Sequence, residues 1–203
     1  MANSSHYFIN DNNLASKPRL VRYEINGTEF ALNSDQGVFS KDRLDDGSRI
    51  LIETLLPLNL TGKLLDLGCG IGPIGLTLAY YSPSLNVTCS DVNTRALALC
   101  EQNAKKLSLS QRVTCLQSDI YLEIEGLYDS IVSNPPIRAG KKVTNAIYIG
   151  AISHLIDGGS LYVVVRKAQG ALSVKSFLEE LFGNVEVLKR SKGYFVLKAT
   201  KAN

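Results

Sequence analysis

The chain has 203 residues, of which 45% are hydrophobic and 20% are charged, and its formal net charge is +3. This length suits one compact domain with a complete core, and the composition is ordinary for a globular protein. No apolar run reaches the roughly 18 residues that a membrane span needs, and the polar N-terminus predicts no signal peptide. The sequence therefore predicts a single cytoplasmic domain over residues 1–203 without a membrane partner.

Cysteine and histidine spacing bears on metal binding. The chain has 4 cysteines and 2 histidines, and no two cysteines form a C-x-x-C pair. Structural zinc usually takes four Cys or His ligands at short, regular spacings, so the sequence predicts no metal site. The cysteines are expected to be small, reduced core residues, although Cys69 lies inside a glycine-rich loop.

The predicted elements begin with an N-terminal hairpin. Asn26-Gly27 between alternating residues is a strong signal for a two-residue hairpin turn, here within residues 20–33. A helix follows over residues 45–56, where apolar residues recur at helical spacing, and Pro57 ends it. The hairpin therefore precedes the main domain.

From residue 63 onward, short apolar strands alternate with helices. The predicted strands cover residues 63–67, 86–90, 113–117, 129–133, 161–165, 185–189 and 194–198. The predicted helices cover residues 73–81, 94–107, 144–156 (ended by Asp157-Gly158-Gly159) and 171–182. This alternation predicts an α/β fold with a doubly wound, mostly parallel, seven-stranded, Rossmann-like sheet. Residues 44–203 would form this core, and residues 1–43 the hairpin extension.

A glycine-rich loop follows the first strand of the alternation. Residues 64–75 read LLDLGCGIGPIG, and Gly68, Gly70 and Gly72 allow a sharp turn and close approach to a ligand. About 20 residues further on, Asp91 ends the next strand, where a carboxylate can accept both hydroxyls of a ribose. The loop therefore predicts a nucleoside-containing ligand at the carboxyl edge of the sheet.

Two ligands remain open for this loop. The spacing of Gly70, Gly72 and Gly75 also matches the dinucleotide fingerprint. However, Asp66 would repel a diphosphate, whereas it suits the cationic amino and sulfonium groups of S-adenosylmethionine. The chain also lacks a second nucleotide-binding half, so S-adenosylmethionine is favoured over NAD.

A third acid, Asp119, follows the strand at residues 113–117. By itself, Ser-Asp after a strand is more often a helix cap or a turn. Next to the other two acids, Asp119 is also a candidate for the amine of an adenine ring.

The segment DSIVSNPPI at residues 129–137 is a strand that runs into two prolines. Asn134 would end the strand at the ligand edge, and the prolines stiffen the backbone beyond it. The Asn134 side-chain oxygen and the Pro135 carbonyl are then two acceptors that can hold both hydrogens of an amino group. Alone, Asn-Pro-Pro would be a turn, but after the glycine loop it predicts catalysis by positioning.

Basic residues follow this segment directly, at Arg138, Lys141 and Lys142, and others lie at Arg166 and Lys167. They are either solvated loop ends or a positive rim that binds phosphates, and the charge pattern alone does not separate the two.

These motifs resemble a known family. Residues 65–72, Asp91 and Asn134-Pro-Pro-Ile look like class I S-adenosylmethionine-dependent methyltransferases. More narrowly, GVFSK at residues 37–41, DDGSRIL at 45–51 and NPPIRAGK at 134–141 are similar to the small-subunit ribosomal RNA guanine-N2 methyltransferases. The resemblance covers residues 6 to about 198, nearly the whole chain.

The resemblance implies a role for each matching position. The residues that would contact S-adenosylmethionine are Phe39, Asp66, Gly68, Cys69, Gly70, Gly72, Asp91, Asp119 and Asn134. Asn134 and Pro135 would be catalytic, and the substrate would meet Ile137, Arg138, Lys141 and Lys142. The partner would be ribosomal RNA or the small ribosomal subunit.

Two departures from the family bear on the substrate. Many relatives have a second, inactive N-terminal copy of the domain, and many have an aromatic residue after Asn-Pro-Pro that stacks on the base, where this chain has Ile137. Two alternatives therefore stay open: a protein glutamine-N5 methyltransferase, which shares the Asn-Pro-Pro chemistry, and an inactive, cofactor-sensing RNA-binding module.

Overall fold

The computed structural model describes residues 15–38, 43–136 and 139–202. Its first two strands, β1 (Arg19–Ile25) and β2 (Thr28–Ser34), form the predicted antiparallel hairpin. Asn26 and Gly27 both have positive φ, at 46° and 78°, as a two-residue hairpin turn requires. The hairpin prediction is therefore confirmed.

The main domain contains five helices and seven strands within the described residues. The helices are α1 (Asp46–Leu55), α2 (Pro73–Tyr81), α3 (Thr94–Lys106), α4 (Lys141–His154) and α5 (Ala171–Phe182). The strands are β3 (Gly62–Leu67), β4 (Leu85–Asp91), β5 (Val113–Gln117), β6 (Tyr128–Ser133), β7 (Leu155–Arg166), β8 (Glu186–Ser191) and β9 (Tyr194–Thr200). In the described part of the chain, no helix combines the length and the apolar character that a bilayer crossing requires.

The seven strands form one sheet in the order β5-β4-β3-β6-β7-β9-β8. Neighbouring strands from β5 to β7 are parallel, and β9 is antiparallel to both β7 and β8. The predicted doubly wound, mostly parallel sheet is confirmed. Its strand order reverses direction between β3 and β6, which makes the carboxyl ends of these two strands the topological switch point.

Two hydrophobic cores cover the two faces of the sheet, because successive side chains of a strand point to opposite faces. Leu64 belongs to the core beneath α1, α2 and α3, and Leu65 belongs to the core beneath α4 and α5. Val21 and Phe30 of the hairpin are buried in the first core. The hairpin therefore closes the face of the sheet that carries the glycine loop.

The prediction for residues 144–156 was wrong at both ends. Helix α4 begins at Lys141 and ends at His154, and Asp157-Gly158-Gly159 lies inside β7. Leu155 is fully buried and extended, and it pairs with Tyr128 of β6. Because Leu155 is buried in the second core, the strand begins there, before Gly158 and Gly159, which the sequence had suggested as the end of the helix.

Candidate functional site

The candidate site lies at the switch point of the sheet. The carboxyl end of β3 leads into the glycine loop, and the carboxyl end of its neighbour β6 leads into Asn134. Segments about 65 residues apart in the chain thus meet at one edge, as ligand sites in open α/β sheets do.

The first half of the glycine loop is open. The main-chain N–H groups of Gly68 and Cys69 donate to the carbonyl of Ser90, at N···O distances of 2.8 and 2.9 Å. Gly68 and Gly70 have positive φ, 76° and 57°, and a Cβ atom added at either would meet nothing within 4 Å. This open surface at the edge of the sheet is a cradle that a ligand can approach without side-chain clashes.

The second half of the loop is packed. A Cβ atom at Gly72 would lie 2.6 Å from Cys100 Sγ, and one at Gly75 would lie 2.9 Å from Asp66 Oδ2. These two glycines therefore allow α2 to pack closely against α3 and the sheet. The same motif thus contains glycines with two different structural roles.

Asp91 closes the loop from β4. Its Oδ2 accepts a hydrogen bond from Gly70 N at 2.8 Å, and its Oδ1 accepts one from Asn93 N at 2.9 Å. Burial raises the pKa of this carboxyl, and the hydrogen bonds from Asn93 and Gly70 oppose the rise. Three main-chain N–H groups, those of Val92, Asn93 and Gly70, thus bond to this fixed, half-buried carboxylate, which has room for a further hydrogen bond from a ligand hydroxyl.

Asp66 lies fully buried beneath the start of α2. Its Oδ2 accepts a hydrogen bond from Gly75 N at 2.8 Å, whereas its Oδ1 has no partner among the described residues. Burial raises the pKa of Asp66 to about 7, the Gly75 bond opposes this, and the charge of Asp91 adds to it. A buried oxygen without a partner fits a carboxylate that awaits a cationic ligand.

Asp119 reaches the same edge of the sheet. Gln117 pairs with Asp91 at the end of β5, and Ser118 N donates to the Asp91 carbonyl at 3.2 Å. The Asp119 side chain is exposed, and its carbonyl accepts a hydrogen bond from Leu122 N at 3.1 Å. The residue begins a turn, as one interpretation predicted, and its role at an adenine amine stays a prediction.

Asn134 is held by two residues of the segment that begins α1. Its Nδ2 donates to Asp45 Oδ1 at 3.0 Å and to Ser48 Oγ at 3.1 Å. Asp45 is also the N-cap of α1, because its Oδ1 accepts from Ser48 N at 3.0 Å. Both amide hydrogens are therefore engaged, which fixes the orientation of the amide and leaves its oxygen as the acceptor for a substrate.

The carbonyl groups of Pro135 and Pro136 differ in their hydrogen bonding. Pro136 accepts a hydrogen bond from Ala139 N at 2.8 Å, whereas no main-chain N–H in the described ranges bonds to the carbonyl of Pro135. Pro135 itself is buried. The structure therefore brings two candidate acceptors together, the Asn134 side-chain oxygen and the Pro135 carbonyl.

The predicted substrate residues are only partly described. Lys141 and Lys142 are exposed in the first turn of α4, where the helix dipole disfavours a cation. The two lysines and the main-chain N–H groups of that turn can together hold an anion, which is what the phosphate-binding interpretation requires. Phe39, Ile137 and Arg138 lie outside the described residues, so their predicted roles stay predictions.

Sequence reasoning assigned no role to the contacts that orient Asn134. Asp45 and Ser48 precede it by 89 and 86 residues. The only local signal was that Asp45 can cap a helix, and no sequence spacing links a cap to a distant asparagine.

A group of cysteines lies behind the glycine loop. The Sγ atoms of Cys69, Cys89 and Cys100 all lie within 4.8 Å of one another, and all three residues are buried. Burial raises the pKa of Cys69, and hydrogen bonding to Cys100 and Cys89 adds to this, so the thiol stays protonated. The Cys69 side chain thus faces the core, and its predicted contact with the cofactor would have to come from its main chain.

Comparison with known proteins places this geometry in a family. Residues 29–198 match the family model described as the methyltransferase small domain. The chain is 40% identical to the uncharacterized protein YbxB of Bacillus subtilis, over 98% of this chain and 99% of that one. It is 37% identical to ribosomal RNA small subunit methyltransferase C of Erwinia tasmaniensis, over 86% of this chain and 50% of that one.

A solved structure is similar in fold and sequence. It is a 16S rRNA N2 methyltransferase of T. thermophilus in complex with AdoMet and guanosine, with a TM-score of 0.82 and 29% identity. The match covers 93% of this chain and 52% of that one, so the chain spans about half the length of these ribosomal RNA methyltransferases. The predicted recognition, fold class and S-adenosylmethionine cofactor are confirmed, and the chain belongs to the methyltransferase small domain family.

Proposed function

We propose that this methyltransferase transfers a methyl group from S-adenosylmethionine to N2 of a guanine in small-subunit ribosomal RNA. The observation that carries the proposal is the orientation of Asn134, whose two amide hydrogens are engaged by Asp45 and Ser48. The similarity to the T. thermophilus 16S rRNA N2 methyltransferase in complex with AdoMet and guanosine supports the choice of substrate.

The cofactor would be held by the glycine loop and its acids. Gly68 and Gly70 offer the open main-chain surface, and Asp91 offers the carboxylate for the ribose hydroxyls. The unpartnered Oδ1 of Asp66 supplies negative charge beneath the loop for the cationic end. Asp119 is the candidate for the adenine amine.

The chemical step depends on holding the amine. When bound, the cofactor supplies an electrophilic methyl group on a positively charged sulfur. The Asn134 oxygen and the Pro135 carbonyl each accept one hydrogen of the exocyclic amine, which draws its lone pair out of conjugation with the ring. The nitrogen would attack the methyl carbon as the bond from that carbon to sulfur breaks, which leaves the sulfur as a neutral thioether. The two acceptors would stabilise the positive charge that develops on the nitrogen, and the extra proton would then pass to water.

The RNA would approach along the exposed side of the site. Lys141 and Lys142 present two positive charges and the main-chain N–H groups of the α4 N-terminus close to Asn134. Such groups bind phosphates without reading the sequence, so they position the strand while the pocket selects the base.

The test is transfer of radiolabel from methyl-labelled S-adenosylmethionine to small ribosomal subunits, to their naked RNA and to total protein from a strain that lacks the gene. We expect label at guanine N2 in the RNA, identified by nucleoside mass spectrometry. Label in a protein band at glutamine would replace the proposed function with the protein methyltransferase. Binding of cofactor and RNA without any transfer would replace it with the inactive RNA-binding module.

A further inference from the structure

We propose that Tyr194 stacks on the substrate base and supplies the aromatic surface that Ile137 does not provide, with Arg166 completing this wall of the pocket. This inference rests on the proposed function, because it assigns a base-binding residue to the same site.

The strand register places Arg166 and Tyr194 at the edge of the sheet where catalysis is proposed. Arg166 ends β7, Tyr194 begins β9, and the two residues face each other in the antiparallel ladder. Ser133, which precedes Asn134, pairs with Val163. The Arg166–Tyr194 pair therefore projects past the end of β6, on the side of Asn134 away from the glycine loop.

Gly47 shows how close the ring is to Asn134. A Cβ atom on Gly47 would lie 3.2 Å from Asn134 Nδ2 and 3.2 Å from Tyr194 Cε1, so the amide and the ring flank one point on α1. Glycine inside a helix costs about fivefold in the folding equilibrium relative to alanine at sites where nothing demands it. Here it leaves the space in which the amide and the ring approach each other.

The surroundings of the ring suit a nucleobase. Tyr194 is half-buried and packs on one side against the core beneath α1, which fixes the ring and leaves part of it accessible. The exposed Arg166 guanidinium lies 5.7 Å from the ring centroid, whereas Lys192, two residues before the ring, is paired with Asp46 at 3.3 Å. An anchored aromatic ring beside a guanidinium is a combination that binds single-stranded RNA bases.

Packing against the core would by itself explain a ring at this position. It would not require a glycine at position 47, where a Cβ atom would lie 3.2 Å from both the ring and the proposed catalytic amide. Stacking accounts for that space, because a base whose amine reaches Asn134 must lie over a surface within a few ångströms of that amide.

The probe for the test is 2-aminopurine riboside, which has an amino group at the same ring position as guanine and loses fluorescence when it stacks on an aromatic ring. It is titrated in the presence of S-adenosylhomocysteine into the wild-type protein and into Tyr194→Phe, Tyr194→Leu and Tyr80→Ala variants. Tyr80 is a matched control because it is a partly exposed tyrosine on α2.

We expect quenching with the wild-type, Tyr194→Phe and Tyr80→Ala proteins, and loss of quenching with Tyr194→Leu. For ribosomal RNA methylation we expect Tyr194→Leu to lower kcat/KM by about 10- to 100-fold, the range of one base–aromatic stack. The Kd for S-adenosylhomocysteine should stay within about twofold, since leucine retains the packing against the core.

Two results would overturn the assignment: no quenching by the wild-type protein, or quenching and kcat/KM unchanged in Tyr194→Leu. The proposed function is tested separately. Quenching that depends on Tyr194 in a protein that does not methylate ribosomal RNA supports the stacking role and removes only the proposed substrate.

Discussion

The two halves of the proposed site, which follow the central strands β3 and β6, are built in different ways. The proposed cofactor half, after β3, is built mainly by main-chain N–H groups and carboxylates from one stretch of chain, residues 66–93, with Asp119 as a further candidate. The substrate half, after β6, is built by side chains: Asn134 is held by Asp45 and Ser48, and Tyr194 approaches from the far end of the chain. The first half is a local motif, and the second exists only after the chain has folded.

This difference has a consequence for mutagenesis. In the cofactor half, substitution of Gly72, Gly75 or the buried Asp66 should disturb folding and cofactor binding together, because these residues also pack α2 closely against α3 and the sheet. Damage to the substrate half should leave the fold intact and remove turnover. Four predictions test this separation.

The largest effect is expected at Asn134. Asn134→Ala removes an acceptor used mainly in the transition state, so turnover should fall by at least about 100-fold while the Kd for S-adenosylmethionine stays within about threefold. Asn86→Ala is the control, because Asn86 is exposed near the amino end of β4, at the opposite edge of the sheet. Single-turnover methyl transfer and calorimetric cofactor binding measure the two quantities. Equal turnover in Asn134→Ala and wild type would exclude the catalytic role.

Gly72 belongs to the packed half of the glycine loop and Gly68 to its open half, so substitutions at the two positions should have different effects. Gly72→Ala places a Cβ atom 2.6 Å from Cys100 Sγ at a φ of 90°, so the free energy of unfolding should fall by about 2–4 kcal/mol. Gly68→Ala meets no atom within 4 Å, so it should cost only about 1 kcal/mol of backbone strain. We expect Gly68→Ala to lower S-adenosylmethionine affinity by at least about tenfold, because its methyl group enters the proposed cradle.

Urea unfolding without cofactor and equilibrium cofactor binding check both variants. The reverse ranking, with Gly68→Ala the less stable protein, would show that the open and packed halves have been assigned the wrong way round.

Asp66 predicts a pH-dependent stability for the protein without cofactor. Its pKa is raised to about 7 by burial, whereas an unfolded chain has an aspartate pKa of about 3.9. The folded state therefore holds the proton longer, and the stability that Asp66 contributes is complete below about pH 4 and lost as the pH rises to about 7. The loss should be about 2–4 kcal/mol.

Asp66→Asn should remove this slope in urea unfolding at pH 4–8, since its uncharged amide has nearly the same shape as the protonated acid. Asp157→Asn is the control, because Asp157 is an exposed partner of Lys201. A slope unchanged in Asp66→Asn would assign the pH dependence to other groups.

The smallest effect is expected at Lys141 and Lys142. Replacing both with alanine should lower RNA affinity and reduce the slope of log affinity against log salt by roughly 1.5–2, because two phosphate contacts are lost. A pair of surface lysines elsewhere, Lys105 and Lys175, provides the matched control. Removing two cations from the first turn of α4 should also stabilise the fold by a few tenths of a kcal/mol. Filter binding over a range of salt concentrations measures the slope, and equal slopes in both double variants would remove the lysines from the RNA surface.

The sequence by itself determined the sheet, the cofactor loop and the identity of the proposed catalytic segment. The period of the apolar residues predicted the strands, Asn26-Gly27 marked the hairpin turn and Pro57 marked the end of the first helix, because these signals depend on the local backbone. The spacing from the glycine loop to Asp91 was also readable, because one strand and one helix of normal length separate them.

Only the tertiary structure decided where α4 ends and how Asn134 is oriented. Leu155 leaves the helix because of its burial in the second core, which outweighs the local glycine signal at residues 157–159. The clamp on Asn134 and the approach of Tyr194 depend on how α1 and β9 pack beside β6. Contacts between residues so distant in the chain leave no periodic trace in a single sequence, because they arise from the packing of complete elements.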